Sequence, residues 1–270
     1  MLAPMENYTD NAFRTLCFNH GCDLTFTEFA SPEGLANDSK ETWDLIKLQD
    51  STPTMIQLLV RNEEKLGSFL KKFKPEEGFK GFNFNLGCPD PEIVTSGRGC
   101  AMIKQIPKIN RLINIVRKYN YPISIKTRLG ENNLEKKNKI YLNLIKETNP
   151  DFFIIHARSG EENYSENADY SIFKECVNTG KEIIANGDID SIEKVRELKK
   201  MGVRGVMIGR GAVTNPAIFD ELKGNKIPSF EELRGEYSLL TDKFKSKPRC
   251  KKNVLMRIGQ IENNIKSNIN

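Results

Sequence analysis

The 270-residue sequence is poor in the residues that build metal sites and covalent scaffolds. It has two histidines, and its six cysteines are scattered without a CxxC pair. This pattern offers neither a zinc quartet nor a disulfide framework. No apolar run approaches the roughly 18–20 residues of a membrane span. The first residues also lack the basic start and apolar stretch of a signal peptide. We therefore predict a cytoplasmic protein without a membrane segment or a metal ion.

The composition fits a globular protein with an uneven charge distribution. Hydrophobic residues make up 38% and charged residues 29%, and the length suits one α/β barrel of about 250 residues or two smaller domains. Residues 241–270 hold eight Lys/Arg against Asp242 and Glu262, whereas the other 240 residues hold 33 basic and 34 acidic groups. The basic tail suits a polyanion such as nucleic acid. A solvated lysine-rich helix explains the same charges.

Eight short apolar runs, each followed by a helical pattern, predict a (β/α)₈ TIM barrel. The runs cover residues 1–5, 23–29, 53–59, 81–86, 121–128, 151–158, 181–187 and 205–209. Amphipathic helices are predicted over 62–73, 107–118, 134–147 and 191–201, with Asp190 as an N-cap paired to Glu193. A doubly wound open sheet is disfavoured, because Gly97-x-Gly99 and Gly209-x-Gly211 both lack the third glycine of a dinucleotide fingerprint.

After the barrel, predicted to cover residues 1–224, the pattern changes to a short basic helical module over 228–270. Residues 224–228 read as a linker, and Ser229 with Glu232 forms the start of a capping box. We predict one helix over 229–245 and a second over about 250–266.

Polar side chains stand where the predicted strands end, which is where barrels carry their active sites. They include Glu28, Gln57, Asn85, Lys126 with Arg128, His156 with Arg158, Asn186-Gly187-Asp188 and Gly209-Arg210. Taken singly, Lys126 also fits a strand end that reaches solvent, and His156 a hydrogen-bonded core residue. Because Lys, Arg and Glu are seldom buried unpaired, the set as a whole predicts a polar site at the barrel mouth.

Two loops and one cysteine carry the chemistry expected of this site. The glycine loops after strands seven and eight suit a phosphate, with Arg210 adding a charge, although ordinary turns would look the same. Cys88 lies in Gly-Cys-Pro directly after a strand. A thiol with an ordinary pKa is mostly protonated at neutral pH, so Cys88 suits an acid as well as a nucleophile. Cys100 reads as a packing residue.

In order along the chain, these motifs resemble those of the tRNA-dihydrouridine synthases, which are FMN-dependent barrel enzymes. The matching motifs are Leu2-Ala3-Pro4-Met5, Thr9-Asp10-x-x-Phe13-Arg14, Ile56-Gln57-Leu58, Asn85-Leu86-Gly87-Cys88-Pro89, Ile125-Lys126-Thr127-Arg128, His156-Ala157-Arg158, Ala185-Asn186-Gly187-Asp188-Ile189, Val206-Met207-Ile208-Gly209-Arg210-Gly211 and Asn215-Pro216. They span about residues 1–220. Each motif is weak alone, and together they are specific.

The resemblance implies that the chain reduces the C5–C6 double bond of tRNA uridines, with NADPH as reductant. Hydride would pass from flavin N5 to C6, and Cys88 would protonate C5 of a uridine flipped out of the RNA stack. The implied FMN-binding residues are Ala3, Pro4, Met5, Gln57, Lys126, His156, Asn186, Gly187, Asp188, Gly209 and Arg210. The implied substrate-binding residues are Asn85, Arg128 and Arg158, and the basic helical module would contact tRNA.

The sequence departs from the resembled family at both ends. Few residues precede the Ala-Pro-Met motif, so we expect either a frayed first strand or a truncated start. The helical module is short. The first alternative function is an FMN-dependent small-molecule reductase of the dihydroorotate dehydrogenase or ene-reductase type. The second is a non-enzymatic RNA-binding protein on a barrel shell, which the intact Cys88, Lys126 and His156 disfavour. The sequence encodes neither the tRNA position nor the oligomeric state.

Overall fold

A computed structural model, which describes residues 1–260, shows seven parallel strands in chain order from β1 to β7. The strands are β1 (Thr25–Phe26), β2 (Thr54–Leu58), β3 (Phe79–Leu86), β4 (Ile123–Thr127), β5 (Phe152–His156), β6 (Ile183–Asn186) and β7 (Gly205–Met207). Short β-rich runs separated by amphipathic helices dictate this order, since a parallel pair needs a crossover connection.

The N-terminal segment closes the sheet into a barrel. Leu2 N–H donates to Leu24 O (3.0 Å), Ala3 N–H donates to Ile208 O (2.8 Å), and Leu2 bridges Ile208 in parallel. The segment thus lies between β1 and β7 and takes the place of the first predicted strand. It is reduced to a single bridge, and Pro4, which has no N–H, cannot extend it. The TIM barrel is confirmed, with seven of the eight predicted strands present as strands.

Helices surround the sheet and then continue beyond it. They are α1 (Asn11–Asn19), α2 (Pro32–Ala36), α3 (Lys40–Ile46), α4 (Glu63–Lys72), α5 (Pro91–Thr95), α6 (Ile106–Arg117), α7 (Asn133–Lys137), α8 (Ile140–Glu147), α9 (Ile172–Val177), α10 (Ile192–Lys200), α11 (Arg210–Thr214), α12 (Ile218–Lys223), α13 (Phe230–Phe244) and α14 (Pro248–Leu255), with a 3₁₀ turn over Gly99–Met102. Within residues 1–260, no helix has both the length and the apolar character needed to cross a membrane.

Two details of the predicted helices are wrong. The helix predicted over 134–147 is two helices, α7 and α8, because Lys139 between them adopts a left-handed backbone (φ 54°). The N-cap of α10 is Ser191 rather than Asp190, and its side chain accepts from Lys194 N–H. Asp190 instead pairs with Lys194.

The core has an inner and an outer layer because strand side chains alternate between the two faces. On β5, Ile154 joins an inner cluster with Phe26 and Met207, whereas Phe153 and Ile155 pack outward under the helices. Burial of this kind, at about 25 cal/mol per Å² of apolar surface, is the main force that holds the barrel together.

The C-terminal helices pack on the barrel through α1. Leu233 and Tyr237 on α13 share a hydrophobic cluster with Phe13, whose ring meets that of Tyr237 edge to face. The predicted capping box at Ser229 and Glu232 is confirmed. The second predicted helix is observed over Pro248–Leu255, and the end of its predicted range lies outside the described residues. The division into domains at residues 224 and 228 stays a prediction.

Candidate active site

The strand ends bring the predicted polar residues to one edge of the sheet. In the strand register, Gln57 is opposite Asn83, Asn85 is opposite Lys126, and His156 is opposite Asn186. All of these positions lie toward the carboxyl ends of their strands, where barrel active sites are found. The strand periodicity, rather than any single residue, therefore assembles the site.

A ladder of buried amides crosses the barrel from β4 to the cysteine loop. Asn83 donates to Ser124 Oγ (2.8 Å), Gln57 Nε2 donates to Asn83 Oδ1 (2.7 Å), and Asn85 Nδ2 donates to Gln57 Oε1 (3.1 Å). Gln57 and Asn83 are fully buried, so each amide needs such partners. The ladder fixes which way each amide points. Among residues 1–260, one N–H of Gln57 and one of Asn85 have no hydrogen-bond partner.

The same ladder holds the loop that carries Cys88. Asn85 Oδ1 accepts from the backbone N–H groups of Gly87 and Cys88, each at 3.1 Å. On the other side, Cys88 O accepts from Cys100 N–H at 3.0 Å. This approach needs glycine at position 99, where φ is 57° and an added Cβ would lie 2.4 Å from Cys88 O. Cys100 is buried, as expected of a packing residue.

Cys88 is half-buried, and its thiol suits proton donation. Burial raises the pKa of the Cys88 thiol above its ordinary value of 9.0, although the nearby charge of Arg128 opposes the shift. The thiol is therefore protonated at neutral pH. Within residues 1–260, no hydrogen bond joins Cys88 Sγ to His156, so the structure does not show a Cys-His dyad.

Cationic side chains gather at the ends of the next strands. Burial, assisted by Arg128, lowers the pKa of Lys126 from its ordinary value of 10.5 to about 8. The same causes, burial first and then the neighbouring cations, hold the pKa of His156 well below its usual range. His156 is therefore neutral, and its Nε2 lies 3.3 Å from an Arg158 nitrogen, from which it can accept. Arg128 is buried and donates to Ser159 O (2.7 Å).

One carboxylate holds two of these cations. Asp188 pairs with both Arg158 and Arg210, the latter at 2.7 Å, and has a left-handed backbone with φ 51°. Arg158 has no exposed surface and also donates to Glu166 O (3.0 Å), so contact with a substrate would require its surroundings to change. In the described part of the chain, Asp188 is the only carboxylate in a salt bridge with Lys126, Arg128, Arg158 or Arg210. The site therefore has an excess of positive charge.

Two glycines beside this charge approach neighbouring side chains closely. At Gly187, φ is 121°, and an added Cβ would lie 3.0 Å from Ala168 Cβ and 3.2 Å from the His156 ring. At Gly209, an added Cβ would lie 3.4 Å from Ala3 Cβ and 3.5 Å from Met5 Sδ. The N-terminal residues predicted to bind FMN, which include the half-buried Pro4, therefore lie against the loop after β7. Asn186 supports that loop by donating to Met207 O (2.9 Å).

Tyr164, in the polar loop after β5, is a site residue that was not predicted from the sequence. Its ring centroid is 4.2 Å from Arg210 Cζ, 5.6 Å from Arg158 Cζ and 5.8 Å from Arg128 Cζ. The available signal was weak: a single aromatic residue within the acidic stretch 161–167 that follows a strand end. No group of three or more His, Cys, Asp or Glu side chains in residues 1–260 is arranged to hold a metal ion.

The profile of the dihydrouridine synthase (Dus) family matches residues 1–260. The chain belongs to the dihydrouridine synthase family. This Dus chain is 30% identical over 241 residues to a probable tRNA-dihydrouridine synthase of Helicobacter pylori, with 84% of this chain and 71% of that protein covered. It is 29% identical over 245 residues to tRNA-dihydrouridine synthase B of Shewanella oneidensis, with 86% and 74% covered. The resemblance of the motifs is therefore confirmed at the level of the family.

A further relative of the Dus chain has a similar identity and coverage. The probable tRNA-dihydrouridine synthase 2 of Bacillus subtilis is 30% identical over 232 residues, with 82% of this chain and 71% of that protein covered. The similarity to each of these relatives extends over most of this chain rather than over one short motif. Site residues spread from the N-terminal segment to the loop after β7 can therefore be considered as one set.

Proposed function

We propose that this Dus-family chain is a tRNA-dihydrouridine synthase that uses FMN and NADPH to reduce uridines of tRNA. The observation that carries the proposal is a protonated, half-buried thiol, Cys88, at the same barrel mouth as two buried and two half-buried cations. An acid and an anion-binding surface are the two parts that this reduction needs from a protein. Family membership and the names of the relatives support the choice of substrate.

The charges of the residues present fit a flavin mononucleotide. Gly187 and Gly209 place no side chain between their backbone and an anion, and Arg210 stands beside them as a charge for the phosphate. Lys126 forms no hydrogen bond with another described residue, so its ammonium group is available to the electron-rich edge of the flavin ring. The N–H of Gln57 that has no partner in the described part of the chain would bind the same edge. His156, Asn186, Asp188 and the backbone of Ala3, Pro4 and Met5 complete the proposed contacts.

When bound, FMN would supply the hydride for C6 of the uracil. The protein's own part begins with Asn85, whose remaining N–H would orient the base, and with Arg128, whose charge would attract the RNA. Cys88 would then transfer its thiol proton to C5, which leaves a thiolate near Arg128 that solvent reprotonates. Because the proposed catalytic residues lie at the barrel mouth, a base would have to leave the RNA stack to reach them, so we expect a flipped uridine. We propose that this occurs in the cytoplasm.

The direct test is turnover on tRNA compared with small molecules. Purified protein would be incubated with FMN, NADPH and unmodified tRNA transcript, and dihydrouridine would be measured by mass spectrometry of the digested RNA. Parallel reactions would offer orotate and a simple enone. Dihydrouridine with no reduction of the small molecules supports the proposal. Oxidation of NADPH with orotate or the enone, and none with tRNA, would show a small-molecule reductase instead.

A further inference from the structure

The ring of Tyr164 stands among three guanidinium groups that would otherwise repel one another. The Cζ atoms of Arg210, Arg158 and Arg128 lie 4.2–5.8 Å from its centroid. All three distances are within the approximately 6 Å range over which a cation is attracted to an aromatic ring. Because like charges gathered around one ring repel one another, the ring is placed to offset part of their repulsion.

Of the three cations, Arg210 lies nearest to the ring, at 4.2 Å. Arg158 is held by Glu166 O as well as by Asp188, and Arg128 by Ser159 O. Arg210 has one hydrogen-bonding partner among the described residues, Asp188, and it shares that carboxylate with Arg158. The ring of Tyr164 is nearest to Arg210 and is its second support.

The backbone around Tyr164 fixes the ring in this position. Asn163 N–H donates to Glu166 Oε1 (2.7 Å), Ala168 N–H donates to Asp188 Oδ2 (3.1 Å), and Asp169 N–H donates to Ala157 O (2.9 Å). The Tyr164 hydroxyl, in contrast, forms no hydrogen bond with any residue in 1–260. The contribution of this side chain therefore comes from its ring rather than from its hydroxyl.

We propose that Tyr164 is a positioning residue whose ring holds Arg210 toward a phosphate and keeps it apart from Arg128 and Arg158. The inference rests on the proposed function, because the phosphate is that of FMN. It deepens that function by adding an aromatic support to the cofactor-binding residues. Tyr164 itself need not touch the phosphate.

The test compares FMN with riboflavin, which lacks only the phosphate. Each ligand would be titrated into the apoprotein and followed by quenching of flavin fluorescence. Tyr164→Leu, which keeps bulk but removes the π face, is expected to lower the preference for FMN over riboflavin about tenfold. Tyr164→Phe should keep the wild-type preference. Tyr119→Leu, a tyrosine beyond the end of α6 that stacks on Tyr121, is the matched control and should also be unchanged.

A double-mutant cycle with Arg210→Ala assigns the effect to Arg210. In that background, Tyr164→Leu should produce no further loss of FMN preference. If Tyr164→Leu does not fold, Tyr164→Met replaces it with the same expectation. A wild-type preference in Tyr164→Leu, or an equal loss in Tyr164→Phe, would overturn the inference and leave the proposed function standing. A wild-type protein that binds both ligands equally would overturn the inference together with the phosphate site of the proposed function.

Discussion

Replacing Asp188 by Asn removes the one carboxylate that holds two arginines of the site. Asn tolerates the left-handed backbone at this position, so the substitution changes the charge without straining the chain. Removing one partner of a buried ion pair costs about 3–5 kcal/mol of unfolding free energy. We expect a loss at the low end of this range, about 3 kcal/mol, because the Asp188 side chain is 23% exposed and Arg158 still donates to Glu166 O.

Thermal and urea unfolding of the apoprotein measure this loss. A destabilisation of about 3 kcal/mol corresponds to a melting temperature lower by about 6–12 °C for a chain of this size. The control is Asp23→Asn, since Asp23 pairs with Lys223 at 2.8 Å with side chains 76% and 46% exposed. Such a surface pair contributes about 0–1 kcal/mol. Equal melting temperatures for the two variants would refute the assignment of Asp188 as the partner of a buried charge.

Three further predictions concern the amine, the cysteine loop and the tail. Because burial lowers the pKa of Lys126 to about 8, the unfolded chain binds more protons than the folded one between about pH 8 and 10.5, so the stability of the apoprotein should rise with pH across that window. Lys126→Met should stabilise the protein below pH 8 and remove the rise. A pH profile of stability that is the same in Lys126→Met as in the wild type would contradict this prediction. Gly99→Ala should lower the free energy of unfolding in urea by about 1–3 kcal/mol. The control Gly67→Ala, on an open helix face, should not lower it. Neutralising Lys251, Lys252 and Arg257 in the basic tail should weaken binding to tRNA transcript and make the binding constant depend less steeply on log salt in a filter-binding assay. An unchanged affinity would show that these cations do not contact tRNA.

The barrel could be predicted from the sequence because its signal is periodic. Runs such as 151–158 alternate between two buried faces, and the helices between them carry clear apolar stripes. The errors fall where a local contact outweighs the pattern. The backbone conformation of Lys139 interrupts a helix. Ser191, one position after Asp190, is the N-cap of the next predicted helix.

The site was only partly predictable. Residues at strand ends, such as Asn85 and Lys126, follow from the register once the strands are located. The contacts of Asn83 and Tyr164 do not, because they depend on how side chains orient inside the barrel and how the loop after β5 folds back. An inward-pointing amide in a strand looks like any polar strand residue until its partners are known.

The proton donated by Cys88 is the central claim, and it is tested most directly by the rate of dihydrouridine formation in a single turnover. Cys88→Ala would be compared with Cys176→Ala, a buried cysteine on α9 outside the barrel mouth, at equal flavin occupancy. A missing general acid lowers a rate by about 10²–10⁴-fold, so Cys88→Ala should be at least about a hundredfold slower while Cys176→Ala matches the wild type. A Cys88→Ala rate close to that of the wild type would contradict the account.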